Sequence, residues 1–538
     1  MVGKRWPGAL ELHHRGLRQQ RCRRRRIDCP VLAGGSGPHS RLGRWARVRA
    51  TPGLSQGSGR GRDRLTKERR LPLGPGPHSR APGVPTDWPV DPIVSELANA
   101  LAARGGRILV VGGWVRDRLA GSPSKDLDLE VFGLAEHDVS AVLRPFGFTP
   151  PVGRQFRVWR EPRAGVDVAY PRAGACDYSP ARPDSLEAAF RAASRHRDLT
   201  INAIGWDPLA GILLDPWKGT ADLAAGWLRA VDAETFGADP LRALRVARLL
   251  ARFEARADEG LCELCRGLDL REVAVERIAG ELRRMLLESG EPSRGLCFID
   301  QIGQLELFAP LAALRGVAQD PRWHPEGDVW VHTLLAVDRA VEIAEGLDEG
   351  ERERLLFAAL CHDLGKPETT TVEDGRVRSL GHEAPGAART REWLLGLRLG
   401  ERLAEAVATL VGHHLAPSQW VGQGAGARAY RRLARKLAAG GVTPVELERV
   451  ARADQWGRTT EDAETRRFDA GIRFLEAAQA ARVRDGVRDD VVSAGELMSR
   501  GVAPGPELGR LLSRCREVQD DTGWQDASRI VDEVLKSH

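Results

Sequence analysis

No stretch of the chain approaches the ~20 consecutive apolar residues that a membrane-spanning helix needs, so a soluble protein with no membrane partner is expected. Cysteine is sparse: eight in 538 residues, scattered along the chain. Cys262 and Cys265 form a lone C-x-x-C inside an apparent helix, with no second pair at zinc-ligand spacing. A disulfide scaffold and a zinc finger are therefore excluded, and a reducing compartment, the cytoplasm, is expected. A global positive field is missing too. The formal net charge is +6, but residues 1–86 hold 20 Lys and Arg against 4 Asp and Glu, leaving 60 against 70 in the remainder. Any basic surface for nucleic acid in the remainder must be local. Residues 1–86 also lack periodic apolar positions. This Gly, Pro and Arg mixture, with its run Arg23 to Arg26, cannot bury enough apolar surface to offset its ordering entropy and is expected to be disordered. It reads as a nucleic-acid-binding tail, an Arg-rich transit peptide, or upstream DNA translated from a misplaced start. The abrupt change of composition near Val84 to Pro92 favours the last, and deleting residues 1–86 is expected to leave activity unchanged.

What is present is organised around Arg107 to Gly133. Arg107 to Val111 is a short apolar run that stops at Gly112-Gly113 and gives way to an amphipathic segment, which reads strand, tight turn, helix. Asp126 to Phe132 is a second strand. Its alternation puts Asp126, Asp128 and Glu130 on one face and Leu127, Leu129 and Val131 on the other. Two carboxylates at i and i+2 can hold two divalent ions close together, one serving an attacking hydroxyl and the other a leaving pyrophosphate. Without a Cβ at Gly112 or Gly113 the backbone can approach a triphosphate, and the following helix offers unpaired N–H groups. Arg116 is a candidate bidentate phosphate donor, with Asp117 beside it.

Taken together these residues resemble the head domain of polymerase β-like nucleotidyltransferases, specifically the class II tRNA nucleotidyltransferases (CCA-adding enzymes) and bacterial poly(A) polymerases. Further motifs follow in order. The heptad from Arg197 to Ala203, RDLTINA, resembles the family's R-R-D-x-x-x-N-A, with His196 in place of the first arginine. The resemblance implies that Arg197 binds phosphate, while Asp198 and Asn202, one helical turn apart, turn toward the sugar. Asp239 to Arg248 reads as a helix with Asp239 at its N-cap and Pro240 in its first turn, and it resembles the family's E-D-x-x-R template helix. Asp239, Arg242 and Arg245 recur every three residues on one face, and Arg248 continues the series. An aspartate accepts from the exocyclic amine of cytosine or adenine, and an arginine donates to the adjacent ring nitrogen; uracil and guanine offer the opposite polarity at the amine position. Ala238 stands where the family usually has Glu. The family also places a third acidic residue where Asp167 lies mid-strand in GVDVAYPR, which implies a supplementary metal-site carboxylate; a buried structural aspartate is the plainer reading. Residues Arg172 to Ala193 correspond to the family's loop and helix that switch from adding C to adding A. Here the segment is rich in Ala, Pro and Ser.

A second constellation begins at His332. His362 and Asp363 end a buried helical run, His382 follows Gly381, His413-His414 comes next, and Asp454 lies on a later helix. Histidine and carboxylate ligands drawn from several helices make a divalent site. The set resembles the HD phosphohydrolase superfamily, which implies His332, His362, Asp363 and Asp454 as metal ligands, with Lys366, His382, His413 and His414 as candidates for phosphate or a second ion.

The expected fold is α+β: a nucleotidyltransferase head of small mixed sheet and helices (87–230), an all-α neck and body (231–325), an all-α HD domain (326–460) and a helical C-terminal segment (461–538). A basic helical stretch, Tyr430 to Lys436, reads as a solvated face in preference to a phosphate contact. The resemblance implies Mg2+ in the head, held by Asp126 and Asp128, and a transition metal such as Ni2+ or Mn2+ in the HD domain. It implies tRNA, CTP and ATP as partners, with CCA addition at the tRNA 3′ end and a metal-dependent 2′,3′-cyclic phosphodiesterase as activities. The alternatives are CC-only or A-only addition, a poly(A) polymerase, or an HD hydrolase whose head only binds tRNA.

Overall fold

The computed structural model describes residues 88–122, 127–149, 157–162, 165–171 and 185–536. The expected disorder of residues 1–86, the carboxylate of Asp126 and residues 172–184 of the switching segment fall outside the described residues.

The head begins with α1 (Pro92–Ala102), which Asp91 caps by accepting from Ile93 N, with Pro92 at the first helical position. Its Val94, Leu97, Ala98 and Leu101 recur at helical spacing and are buried. Then come β1 (Arg107–Val111), α2 (Gly113–Leu119), β2 (Leu127–Phe132), β3 (Val158–Glu161), β4 (Val166–Ala169), α3 (Ser185–Ser194), β5 (Gly205–Asp207) and β6 (Ile212–Leu214). They build a six-stranded mixed sheet in the order β3-β4-β2-β1-β5-β6, with β2 and β4 the parallel neighbours. Alternation sorts each strand between two cores. Ile108, Val110, Leu127, Leu129, Val131, Val166 and Val168 join the main apolar cluster, whereas Leu109, Val111 and Phe132 pack with Phe190 of α3. Asp128, Glu130 and Asp167 are thus left on the α3 face.

The neck holds α4 (Arg242–Arg252), α5 (Val275–Glu288) and α6 (Pro292–Gln301). The helix expected from Asp239 starts at Arg242 instead: Asp239 caps the preceding turn, accepting from Leu241 N at 3.2 Å, and Leu241 holds the N-cap position. Cys262 and Cys265 are buried free thiols on the helix Glu259–Arg266, as expected of core residues, and burial pushes the Cys262 thiol up to about 11.

The second helical unit comprises α7 (Val329–Ile343), α8 (Glu349–Cys361), a hairpin of β7 (Thr370–Glu373) and β8 (Arg376–Ser379), α9 (Glu383–Gly396), α10 (Glu401–His413), α11 (Ala427–Ala439) and α12 (Pro444–Gly457). The hairpin is an addition to the helices expected there. α13 (Ala494–Ser499), α14 (Pro506–Thr522) and α15 (Ala527–Lys536) form a terminal module around Leu497, Leu511, Cys515 and Ile530, an apolar cluster distinct from the main one. The basic stretch on α11 stays largely solvated, with Arg432 and Lys436 exposed, and also carries ion pairs. Arg428 and Arg432 pair with Asp521 at 2.7 and 2.8 Å, and Arg435 with Asp520 at 2.7 Å, so α14 borders it.

Candidate active sites

The three head motifs meet in one buried network. Arg116, only 5% exposed, donates to Asp117 Oδ1 at 2.8 Å and to Asn202 Oδ1 at 2.7 Å. Asp117 in turn accepts from Arg252 of α4 at 3.0 Å. Asn202 donates through Nδ2 to Asp198 Oδ1 at 2.9 Å, and the other Asp198 oxygen lies 2.9 Å from Arg245 Nε. Burial alone would raise the Asp198 carboxyl, but Arg245 and Asn202 outweigh it and hold it below the usual carboxylate range. Arg116, expected as a phosphate donor, has its donors turned inward to Asp117 and Asn202 and sits over the Phe253 ring, the position of a brace. Asp198 and Asn202 brace the site equally.

Arg197 is the more open arginine. Its Nη2 lies 3.3 Å from Glu130 and its Nη1 3.4 Å from the Asn202 carbonyl, against Gly112. Gly112 has φ +75°, and a Cβ there would stand 2.9 Å from Arg197 Nη1, so the glycine pair makes room for a guanidinium. Gly113 opens the seven-residue α2 beside Arg116.

Asp128 is exposed, and the parallel register sets it directly beside Asp167 of β4. In-register residues on parallel strands project to one face, so two carboxylates converge there. Asp167 is gripped by Arg160 at 2.8 and 2.7 Å. Arg245 lies within electrostatic range of Asp198, Asp239 and Asp128, which brings the acidic strand and the arginine helix near one another. Asp239 pairs with Arg277 at 2.9 Å. Arg242 departs from expectation: its guanidinium donates to the Thr235 carbonyl at 2.8 Å and to that of His196, tying α4 to the RDLTINA segment. Arg248 also turns away, to Glu281 at 2.8 Å.

The second site is a cavity of about 230 Å³ among α7 to α12. His332, fully buried, lies 2.8 Å from Glu326 through Nδ1 and 3.0 Å from Asp454 through Nε2. His362 Nδ1 is within 2.8 Å of the Ala359 carbonyl, which directs Nε2 toward Asp363 Oδ2 at 3.2 Å. Asp363 is shared: its Oδ1 is 3.3 Å from His382 Nε2, and its Oδ2 is 2.7 Å from Lys366 Nζ. Burial would raise the Asp363 carboxyl, but His362 and Lys366 hold it well below the carboxylate range. His414 joins through Nε2, 3.3 Å from His382 Nε2, while burial pushes it down to about 3 and keeps it a neutral donor of a lone pair. His413 does not join. It is half-buried, with Lys436 and Glu383 as its charged neighbours.

The set His332, His362, Asp363 and the set Asp363, His382, His414 can each hold a metal ion, their ligand atoms lying within 4.8 Å of one another. The buried His362 Nε2 has no aligned hydrogen-bond partner, as a lone pair aimed at a cation would have none, while Asp363 Oδ2 lies between it and Lys366 Nζ. Sequence reasoning missed Glu326, which orients His332, and His324, whose ring stands edge-on to His332 at 4.6 Å. It also missed Arg458, 3.5 Å from Asp454. The cue for the first two was the H-x-E spacing just ahead of His332.

A mixed-sheet head with paired strand carboxylates, joined to a helical His/Asp cluster, defines a two-site enzyme of nucleotidyltransferase and HD type. The poly A polymerase head domain matches residues 108–229 and the HD domain residues 329–455. The multifunctional CCA protein of Laribacter hongkongensis is 38% identical over 318 residues, 57% of this chain and 74% of that protein. That of Halorhodospira halophila is 34% identical over 440 residues, 76% of this chain and 95% of its own length. Among solved structures, the Bacillus stearothermophilus CCA-adding enzyme in complex with CTP shares the fold, with a TM-score of 0.55 at 17% identity, over 83% of this chain and 98% of that one. The Thermotoga maritima CCA-adding enzyme complexed with tRNA also shares it, with a TM-score of 0.51 at 18% identity, over 83% and 96%. The chain belongs to the family of multifunctional CCA proteins. Among the described residues no helix is long and apolar enough to cross a membrane.

Proposed function

We propose that this protein adds C and A to the 3′ end of tRNA from CTP and ATP in the cytoplasm, and that its helical site is a metal-dependent 2′,3′-cyclic phosphodiesterase. The observation that carries the first part is the buried chain Arg252, Asp117, Arg116, Asn202, Asp198 and Arg245, which binds the glycine turn, the RDLTINA segment and α4 into one rigid frame. The frame carries Arg245, which lies within electrostatic range of both Asp128 and Asp239, and this supports base selection beside a metal-binding strand.

In the reaction the terminal ribose hydroxyl releases its proton to solvent as its oxygen forms a bond to the α-phosphorus, the bond from that phosphorus to the bridging oxygen breaks, and pyrophosphate leaves. Asp126, Asp128 and Asp167 are the residues that would hold Mg2+, and the side-by-side register of the last two supports the assignment. When bound, these ions lower the cost of the charge that develops on the oxygens. Arg197, free to swing from Glu130, meets the triphosphate above Gly112 and Gly113. Asp239 accepts from the exocyclic amine and Arg245 donates to the ring nitrogen, while Arg242 fixes the helix that bears them. At the second site His332, His362, Asp363 and Asp454 would hold a transition ion such as Ni2+ or Mn2+, with His382 and His414 completing the donor set. Lys366 and Arg458 orient the phosphate. The proposed division is head 87–230, neck and body 231–325, HD domain 326–460 and terminal segment 461–538.

The test is to incubate the protein with tRNA ending before CCA and each labelled nucleotide, then size the product. Three added residues from CTP and ATP together are expected. A product two C residues long identifies a CC-only enzyme, long A tails a poly(A) polymerase, and no extension a non-catalytic head.

A further inference from the structure

Trp323 is the one exposed tryptophan among the described residues, 61% accessible, and it lines the same cavity as Asp363, His382 and His414. Its backbone is held still. Trp323 N and His324 N both donate to the Asp320 carbonyl, at 3.0 and 2.9 Å, and Arg322 N donates to the Asp320 side chain at 3.0 Å. One residue on, His324 Nδ1 lies 2.9 Å from Glu326, the same carboxylate that orients His332. The indole is therefore a free, rigidly mounted apolar plate, anchored one residue from a ring that touches a metal-ligand histidine. Leaving most of so large an apolar side chain in water forfeits the burial that tryptophan usually gains.

The cavity behind it is lined by two cations, Lys366 and Arg458, each beside a carboxylate, Asp363 and Asp454. Lys366 donates to Gln319 at 2.8 Å, and Arg458 keeps a buried Nε without a hydrogen-bond partner. Its volume of about 230 Å³ is below the ~300–1,000 Å³ that enclose a whole drug-sized ligand. A phosphorylated ribose can enter, but an attached base must lie at the mouth, where Trp323 stands.

We propose that Trp323 is a base-stacking, specificity-determining residue of the phosphodiesterase site, with the base of the substrate on the indole and the phosphate between Lys366 and Arg458. This rests on the phosphodiesterase reading above. Stacking does not distinguish one base from another, since every base has a π-face, so the site accepts any terminal nucleotide and binds it more tightly than a phosphate that lacks a base.

The test compares the wild type with Trp323→Ala and Trp323→Tyr in the full-length, metal-loaded protein. Trp323→Ala is expected to raise KM for adenosine 2′,3′-cyclic phosphate about tenfold with kcat within about twofold, and to weaken calorimetric binding of adenosine 2′-monophosphate by the same factor. Binding of inorganic phosphate and nucleotide incorporation into tRNA are expected to stay unchanged, and Trp323→Tyr to restore KM. Equal KM and equal affinity in the wild type and Trp323→Ala, with hydrolysis intact, overturn the stacking role alone. Parallel loss of inorganic phosphate binding also overturns it, in favour of a structural role for the loop. Absence of hydrolysis by the wild type overturns the phosphodiesterase reading, and the calorimetric arm still decides whether Trp323 holds a nucleotide.

Discussion

At the scale of single residues, the head depends on side chains that hold one another in place. Gly112 adopts φ +75°, and its missing Cβ leaves the space that Arg197 Nη1 occupies. Gly112→Ala is expected to cost about 1–2 kcal/mol in thermal unfolding, from backbone strain, and to lower nucleotide incorporation about tenfold or more by displacing Arg197. Asp128→Asn tests the opposite kind of residue, exposed and in register with Asp167. It is expected to reduce labelled CTP incorporation by a factor of about 100 or more while leaving the melting temperature near that of the wild type. An Asp128→Asn protein that still extends tRNA at the wild-type rate overturns the assignment of that strand. The same scale shows where residue-level reading fell short. Arg116 carries the donor geometry of a phosphate ligand, yet Asp117 and Asn202 consume it, and a guanidinium reads the same in either role until its neighbours are known.

At the scale of elements, α11 and α14 meet through charge. Arg428, Arg432 and Arg435 face Asp520 and Asp521, and the apolar cluster of the terminal module shares no residue with the main core. Exposed ion pairs are individually weak, on the order of 0–1 kcal/mol, and are screened by salt. Raising NaCl from low to high concentration is therefore expected to speed amide hydrogen exchange in residues 491–536 while leaving α7 and α12 protected. The pair Asp520→Asn and Asp521→Asn should reproduce that loosening at low salt. Exchange that ignores both salt and substitution shows an apolar joint instead. Hairpin β7–β8 has its own lesson. Its strands of TTVE and RVRS are short and mostly polar, so periodicity offered no cue to separate them from a loop between helices.

For the whole molecule, the neck and the HD unit are coupled by Asp338. From α7 it accepts from Ser293 N at 3.0 Å and Ser293 Oγ at 2.6 Å, capping the start of α6 across the joint. Burial and the nearby Glu291 push its carboxyl up to about 7, with the Ser293 hydrogen bonds opposing. The folded form then holds a proton that the unfolded chain releases near pH 4, so this group's contribution is present at low pH and is lost as pH rises from about 4 through 7. Denaturant titrations at pH 5 and pH 8 should show a loss attributable to Asp338 of up to about 3 kcal/mol, and Asp338→Asn should flatten it. An identical pH profile in the variant removes Asp338 from the account. The two chemical sites should also separate: His362→Ala is expected to abolish metal-dependent hydrolysis of 2′,3′-cyclic phosphates and leave tRNA extension intact. Joint loss points to misfolding or to a shared site.

Much of this was legible in the linear order of residues, because alternation and helical spacing are properties of the backbone alone. They set Asp128 and Glu130 on one face of a strand, placed His362 and Asp363 at the end of a buried helix, and kept the motifs in the order that the family requires. What they cannot encode is which distant groups consume one another. Arg116 meets Asn202 from 86 residues away, and His332 meets Asp454 from 122. Only the folded chain decided that Arg116 and Arg242 brace the site while Arg197 and Arg245 border it, and that His414 rather than His413 joins the cluster. It alone made Glu326 the partner of His332 and left Trp323 at the mouth of the cavity. The physical reason is that charge and hydrogen-bond capacity belong to pairs of groups at contact distance, and only packing brings those pairs together.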